Sequence, residues 1–449
     1  MDIRFSPYGQ ASTKPSVVSR MMTNFTRGFR DGVDINLGVG YVNEKTIPVA
    51  WLTEAMQAVA ADGTRYRQAF NYGGPEGSPN LIASLRRFLA GQANCGLDQE
   101  TLARRRLIIG PCGATSVLDA LTEVLAPGIV VAADPMYYIY RDALERTGFE
   151  VLPVPEDAEG IGLEDLERKL AQLGDRARDI SFFYVVTVNN PSGTILSNRR
   201  RHAVYNVAAR LSQEQGRRIP VFFDLAYELL LHDARVEPFE SALPGDELEI
   251  AYEIGTLSKV LAPGMRIGYL LGPDGPLMNA MVQKTSDAGF SAPPFVQEMA
   301  GWVLDNRIGE QLCAVKAGYR EKAAAVRRAM DESLGPILSE IRGGGAGFYY
   351  YLTFAQVETH AESPFFRYLT RSTGDPSVDG PDGNPLPRVI YIPGEYCVHP
   401  HGDLAERGRR QLRVSYGFED SARIATAMEW MRRAAEWATP VPSPRASPE

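Results

Sequence analysis

The sequence predicts an α/β fold, a mainly parallel sheet with helices on both faces, and three observations carry that expectation. Short β-branched or apolar runs bounded by turn residues recur at Leu107 to Ile109, Ile129 to Ala133, Ile180 to Thr187, Val221 to Asp224 and Glu249 to Gly255. Helical periods separate them: in Ala114 to Leu125, residues Val117, Leu118, Leu121, Val124 and Leu125 follow an i, i+1, i+4, i+7, i+8 pattern. Strand, helix, strand in repetition is the signature of a parallel sheet covered on both sides. Composition agrees, since the 449 residues are 44% hydrophobic and 23% charged, with 42 Gly and 31 Pro. That mixture excludes collagen-like and low-complexity chains and supplies apolar material for more than one core.

From Glu310 to Leu334 the pattern becomes one long helical stretch, and GGGAGFYYYLTF after it reads as a turn feeding a strand, where a second domain begins. Thr373 to Pro387 is dense in Gly, Pro and Asp and reads as an irregular surface loop, while the final ATPVPSPRASPE resembles a disordered tail. The expected organisation is an N-terminal arm (1–34), a large domain (48–309), a small domain built from 35–47 and 310–438, and a tail (439–449). No internal repeat is visible.

Charge and cysteine usage narrow the function. The chain carries 47 basic and 55 acidic residues, a net charge of −8, so no overall field attracts nucleic acid or anionic lipid. The arginine runs Arg104 to Arg106 and Arg199 to Arg201 read as solvated helix or loop faces. Cys95, Cys112, Cys313 and Cys397 have no CxxC or CxxH spacing, and the five histidines have no metal spacing beyond the HPH pair His399 and His401, which reads as loop. No metal is expected. The N-terminal segment has no basic region followed by an apolar core, and no run approaches the ~18 apolar residues of a membrane span. The expectation is a reduced, cytoplasmic, small-molecule enzyme.

In parallel sheets, ligands bind in loops beyond the carboxyl ends of the strands, so five segments become candidates. GPCGAT (Gly110 to Thr115) joins a strand to an amphipathic helix; its free N–H groups suit a phosphate, or the glycines serve only tight packing. Cys112 within it reads as small-residue packing. VTVNNPSGT (Val186 to Thr194) breaks a buried strand with turn residues. In VFFDLAYELL, Asp224 follows three apolar residues, and a carboxylate there is either a helix cap or the counter-ion of something positive. In GTLSKVLAPGMRIGYLLG (Gly255 to Gly272), Lys259 sits between a strand and a Gly/Pro turn, where a confined amine can act as nucleophile. In QLRVSYGF, Arg413 lies on a strand-like run; its planar fork suits a carboxylate, with a surface ion pair as the alternative.

In this order and at these intervals the five segments resemble the class I/II aminotransferases, the fold-type I enzymes dependent on pyridoxal 5′-phosphate (PLP). The resemblance runs from about Ile35 to Phe418, and INLGVGY, NYGGPEGSPNLIASLRRFL, ADPMYYIY and YIPGEYC carry further family features. It implies a mainly parallel sheet of seven-stranded type in a large domain, a smaller α+β domain, and a homodimer with shared active sites. It makes Lys259 the internal-aldimine lysine, Asp224 the partner of the pyridinium nitrogen, and Tyr227 the third catalytic residue. Asn190 and Tyr227 would bond the ring's phenolic oxygen, and Tyr137 would stack on the ring. Gly113, Ala114, Thr115, Thr256, Ser258 and Arg266 would hold the phosphate, with Tyr72 entering from a second subunit. Arg413 would grip the substrate's α-carboxylate, helped by the backbone near Gly40, with Asn190 and Tyr41 completing the substrate side. Thr256 stands where serine is usual, Ser192 where threonine is commoner, and Tyr41 where the N-terminal motif often has proline, a change that bears on the substrate pocket.

The activity so implied is transfer of the amino group of an L-amino acid to a 2-oxo acid through aldimine, quinonoid and ketimine. The same residues also serve γ-elimination or replacement, as in enzymes related to aminocyclopropane carboxylate synthases, and oxidation of amino acids on the same scaffold. The loop 373–387 and the segment HPHGDLAERGRR (399–410) flank strands near Arg413 and form either a lid or plain surface variation. Some regulators fuse a helix-turn-helix domain to this fold, but the residues before Ile35 are too few for one, and no basic recognition helix is visible.

Overall fold

The five apolar runs lie in one eight-stranded sheet of the computed structural model, which describes residues 3–16, 19–20, 22–23, 28–92, 95–381 and 383–439. The tail from residue 440 onward lies outside the described residues. Strands are numbered along the chain from β1 (Ile35–Asn36) to β14 (Gln411–Ser415). The expected runs are β2 (Arg105–Ile109), β3 (Ile129–Asp134), β6 (Ile180–Val186), β7 (Val221–Asp224) and β8 (Ala251–Thr256). Three more complete the sheet: β4 (Glu150–Asp157), β5 (Gly160–Ile161) and β9 (Gly268–Pro273), in the order β2-β9-β8-β7-β6-β3-β4-β5.

Strands β3, β4, β6, β7 and β8 pair in parallel, whereas β9 runs antiparallel to both β2 and β8. The two-residue β5 adds antiparallel to β4 at the edge, which makes eight strands of the expected seven-stranded type. Because β9 alone separates β2 from β8, the carboxyl ends of β2, β3, β6, β7 and β8 share one edge. Pro153 and Pro155 hide β4 in the sequence, and glycines at both ends of GYLLG hide β9.

The core explains the strand composition. Helix Gly113–Val124 buries Val117, Leu118 and Leu121 against a sheet face carrying Ile108, Val130, Phe182, Tyr184, Phe222, Tyr252 and Ile254. Across that face, Phe149, Phe182, Phe222 and Tyr252 form a run of ring contacts with centroids 5.7, 5.4 and 5.2 Å apart, a spacing at which aromatic pairs attract beyond simple burial. Fully covered strands of this kind read as continuous apolar runs.

The chain forms two compact units, one of Met1–Ser16, Val42–Arg320 and Gly345–Gly347, the other of Val17–Tyr41, Glu321–Gly344 and Phe348–Glu449. The change of unit at Arg320 falls within the helix Ile308–Leu334. The second unit has an antiparallel sheet, β10 (Leu338–Gly343), β11 (Tyr349–Phe354), β14 and β13 (Ile392–Pro393), and a parallel pair of β1 with β12 (Val389–Ile390). Loop 373–387, of which residue 382 is outside the described residues, is tied down by Asp379, whose carboxylate accepts from the Thr373 and Gly374 N–H groups. Segment 399–410 contains the short helix Ala405–Gly408 and is pinned by ion pairs Arg407 to Glu340 and Arg409 to Glu358.

Candidate active site

The shared edge gathers the sequence candidates of the first unit: Gly113 to Thr115 follow β2, Tyr137 follows β3, and Asn190 follows β6. Asp224 and Tyr227 end β7, Thr256, Ser258 and Lys259 end β8, and Arg266 precedes β9. One part of the site is a cradle of hydrogen-bond donors. Gly113 opens the helix Gly113–Val124 with φ of 69°, a conformation that favours glycine, and no side chain caps this helix start. The Gly113 N–H donates to the Arg266 carbonyl at 2.7 Å, and a Cβ on Gly268 would strike the Gly113–Ala114 backbone, so β9 lies directly against the loop. Arg266 turns through φ of 54° and aims its guanidinium at Cys112, with Nε 3.3 Å from Sγ and Nη2 3.2 Å from the carbonyl. The Thr256 hydroxyl donates to the Ile267 carbonyl at 2.8 Å and stands 3.0 Å from the Ser258 hydroxyl. Backbone N–H groups of the first helical turn, the Ser258 hydroxyl and the Arg266 guanidinium are donors that suit a phosphate dianion, while the Thr256 hydroxyl is spent on the Ile267 carbonyl.

The other part is acidic and buried. Asp224 accepts from the Tyr184 hydroxyl at Oδ2 (2.7 Å) and from the Ala226 N–H at Oδ1 (3.0 Å). Burial pushes its carboxyl above the usual range, while the Tyr184 and Ala226 hydrogen bonds and the Lys259 charge pull it down. Lys259 Nζ lies 5.5 Å from the centre of the Tyr227 ring. An amine, a phenol and a buried carboxylate thus converge beside an anion cradle, a set that fits PLP: a cradle for its phosphate, an amine for its aldehyde and an acid for its ring nitrogen. Beside this set, Asn189 binds the Pro135 carbonyl and the Glu156 carboxylate, both at 2.8 Å, which fixes the turn carrying Asn190.

Tyr72 lies outside these contacts: it is 84% exposed, its ring 6.2 Å from Phe290. In the second unit, Arg413 is 1% exposed, donates through Nη2 to the Gly38 carbonyl and lies 4.6 Å over the Tyr349 ring. The Tyr349 hydroxyl sits where a Cβ on Gly40 would be, 2.5 Å from that position, and Tyr41 is exposed with its ring edge-on to Phe418 at 5.8 Å. Arg413, Gly40 and Tyr41 are therefore neighbours within their unit.

Sequence reasoning missed Tyr184, which carries no motif, and misjudged both arginine runs: Arg105 and Arg106 lie on strand β2, their side chains largely covered and paired with Asp246 and Glu76. Arg200 and Arg201 are buried in ion pairs with Asp157 and Glu228, and Arg199 pairs with Glu159, so this run is not a solvated face. Behind the sheet, Arg201, Glu228, Ser241, Glu253, Cys95 and Lys316 line a cavity of about 130 Å³. Among the described residues no group of three or more acidic, histidine or cysteine side chains is arranged to hold a metal.

The chain belongs to the class I and II aminotransferase family, whose sequence model matches residues 33–374, and it is a PLP-dependent transferase of fold type I. Among its relatives is aromatic-amino-acid aminotransferase 1 of Thermococcus litoralis, 24% identical over 66% of this chain and 68% of that protein. Another is the uncharacterized HTH-type transcriptional regulator YisV of Bacillus subtilis, 23% identical over 75% of this chain and 64% of that protein. Among solved structures, the multiple substrate aminotransferase of Thermococcus profundus superposes with a TM-score of 0.81 at 20% identity, covering 96% of this chain and 97% of the other.

Proposed function

We propose that this protein is an aminotransferase that moves the amino group of an L-amino acid to a 2-oxo acid, with Lys259 as the proton carrier. The observation that carries this reading is the convergence of Lys259, Tyr227 and the buried Asp224 on adjacent strand ends beside the phosphate-type cradle. Bound PLP supplies an electron sink for the substrate's Cα. Asp224 holds a proton on the ring nitrogen, because a buried carboxylate is stable only beside a positive partner. Asn190 and Tyr227 bond the phenolic oxygen, and Tyr137 stacks on the ring. Gly113, Ala114, Thr115, Thr256, Ser258 and Arg266 bind the phosphate and fix the register of the ring, with Tyr72 contributed by a second subunit of a homodimer. Lys259 would hold the cofactor through its amine and act as the base and acid that moves the substrate's Cα proton. Arg413, helped by the backbone at Gly40, would hold the substrate α-carboxylate. Tyr41 borders the side-chain pocket. Four free thiols suit a reducing cytoplasm.

Lys259→Ala is expected to lose both turnover and the visible absorption of the lysine-bound cofactor, and retention of both overturns the assignment. Single-turnover mixing of the wild-type holoenzyme with aromatic, aliphatic and dicarboxylic amino acids is expected to release a 2-oxo acid and leave the aminated cofactor. Loss of a leaving group or consumption of oxygen establishes elimination or oxidation instead. The similarity to YisV carries a second reading, a cofactor-binding regulator, which predicts specific retention of DNA in a gel shift. We expect none, since the runs Arg104 to Arg106 and Arg199 to Arg201 are engaged by carboxylates.

A further inference from the structure

We propose that Tyr184 is a positioning residue for Asp224, donating the hydrogen bond that keeps this buried carboxylate ionised and oriented toward the cofactor's ring nitrogen. The proposal rests on the assignment of Asp224 under Proposed function. Tyr184 Oη donates to Oδ2 at 2.7 Å and the Ala226 N–H to Oδ1 at 3.0 Å, so each oxygen is held once from within the protein and keeps acceptor capacity for a ligand. Sheet register builds the contact. Tyr184 on β6 pairs with Phe222 on β7, and side chains repeat every second residue, so Phe222 and Asp224 share the face that Tyr184 occupies.

The need for such a donor follows from burial. Tyr184 and Asp224 are both buried, and a carboxylate out of water is stable only when its lone pairs are engaged. The charged groups facing Asp224 are Lys259, which favours its ionised form, and Glu228, which opposes it; Tyr137 and Tyr140 face Tyr184. Tyr140 provides an internal control. It packs edge-on against Tyr184 with centroids 4.7 Å apart, and its buried hydroxyl has no hydrogen-bond partner among the described residues. Of these two buried phenols in contact, only Tyr184 is bonded to Asp224.

Tyr184→Phe and Tyr140→Phe test the difference. Equilibrium titration of each apoprotein with PLP, followed by protein fluorescence, is expected to give a Kd raised about tenfold or more for Tyr184→Phe, the loss of one hydrogen bond to a charged group. Tyr140→Phe is expected to stay within about twofold of wild type, since it removes a hydroxyl that bonds nothing. In Tyr184→Phe the acid limb of kcat/KM moves to higher pH, because a carboxylate without its donor takes up a proton at higher pH; in Tyr140→Phe it does not move. A Tyr184→Phe protein with wild-type Kd and an unmoved acid limb overturns the proposal. Asp224→Asn separates the two levels: if it binds PLP and turns over like wild type, the role of Asp224 fails, whereas if it is crippled and Tyr184→Phe is normal, only the positioning role fails. If Tyr184→Phe does not fold, proton NMR of the wild-type apoprotein decides. A slowly exchanging downfield hydroxyl resonance that disappears in Asp224→Asn supports the bond, and its absence overturns it.

Discussion

Glu253 on β8 shows how one residue's face in the sheet sets its chemistry. It points away from the cofactor edge into the cavity with Arg201, its Oε1 accepting from the Ser241 hydroxyl at 2.5 Å. Burial pushes its carboxyl up to about 7, against the pull of the Arg201 charge and the Ser241 hydrogen bond. A raised acid binds its proton more tightly in the folded chain than in the unfolded one, where glutamate titrates near 4.5. Its stabilising contribution is therefore complete below about pH 4.5 and is lost as pH rises through about 7. Glu253→Gln does not titrate, so the difference in stability should shift in the variant's favour by on the order of 3 kcal/mol between pH 4.5 and 8. Urea unfolding of both proteins across that range checks it; a gap independent of pH contradicts a buried, proton-holding Glu253.

At the scale of elements, the phosphate cradle depends on how closely β9 approaches the loop before helix Gly113–Val124. The contact at Gly268 is with backbone atoms, which have no rotamer by which to yield. Gly268→Ala should cost about 1–3 kcal/mol through overpacking and weaken PLP binding by pushing the first turn of helix Gly113–Val124 out of place. Thermal unfolding with and without PLP measures both effects, and an unchanged Tm and PLP affinity would show that the cradle tolerates the displacement. In the sequence the cradle is legible as GPCGAT and as MRIG, but their closure is not. The two segments are joined by the Gly113 to Arg266 and Gly110 to Gly268 backbone hydrogen bonds, by the Arg266 guanidinium on Cys112 and by the β2–β9 and β8–β9 pairings, and β9 has no alternation to announce it.

For the whole molecule, the exposed aromatic residues of the first unit bear on assembly. Phe70 is 74% exposed and stacks on Phe295 at 5.0 Å, close in sequence to the exposed Tyr72. Clustered exposed aromatics mark interfaces, and a homodimer would cover them. Light scattering should give a mass of twice the 49.4 kDa chain for the wild type, and Phe70→Asp should shift it toward the monomer with loss of activity. A wild-type monomer with full activity would refute the shared active site.

By itself the sequence determined the α/β class, because apolar runs, helical periods and turn residues at strand ends are local, and the resemblance of its segments in order pointed to the family. The change of unit at Arg320 left no trace, since it lies within one continuous helical pattern. The tertiary structure alone decided which side chains meet across the sheet. Tyr184 reaches Asp224 and Arg201 reaches Glu228 through lateral strand and helix packing, at separations along the chain for which no local pattern exists. Burial, which turns such meetings into ionisation states, is likewise a property of the packed molecule, and it makes Asp224 a charge needing a partner where its sequence context left it either a helix cap, the more frequent case, or a counter-ion.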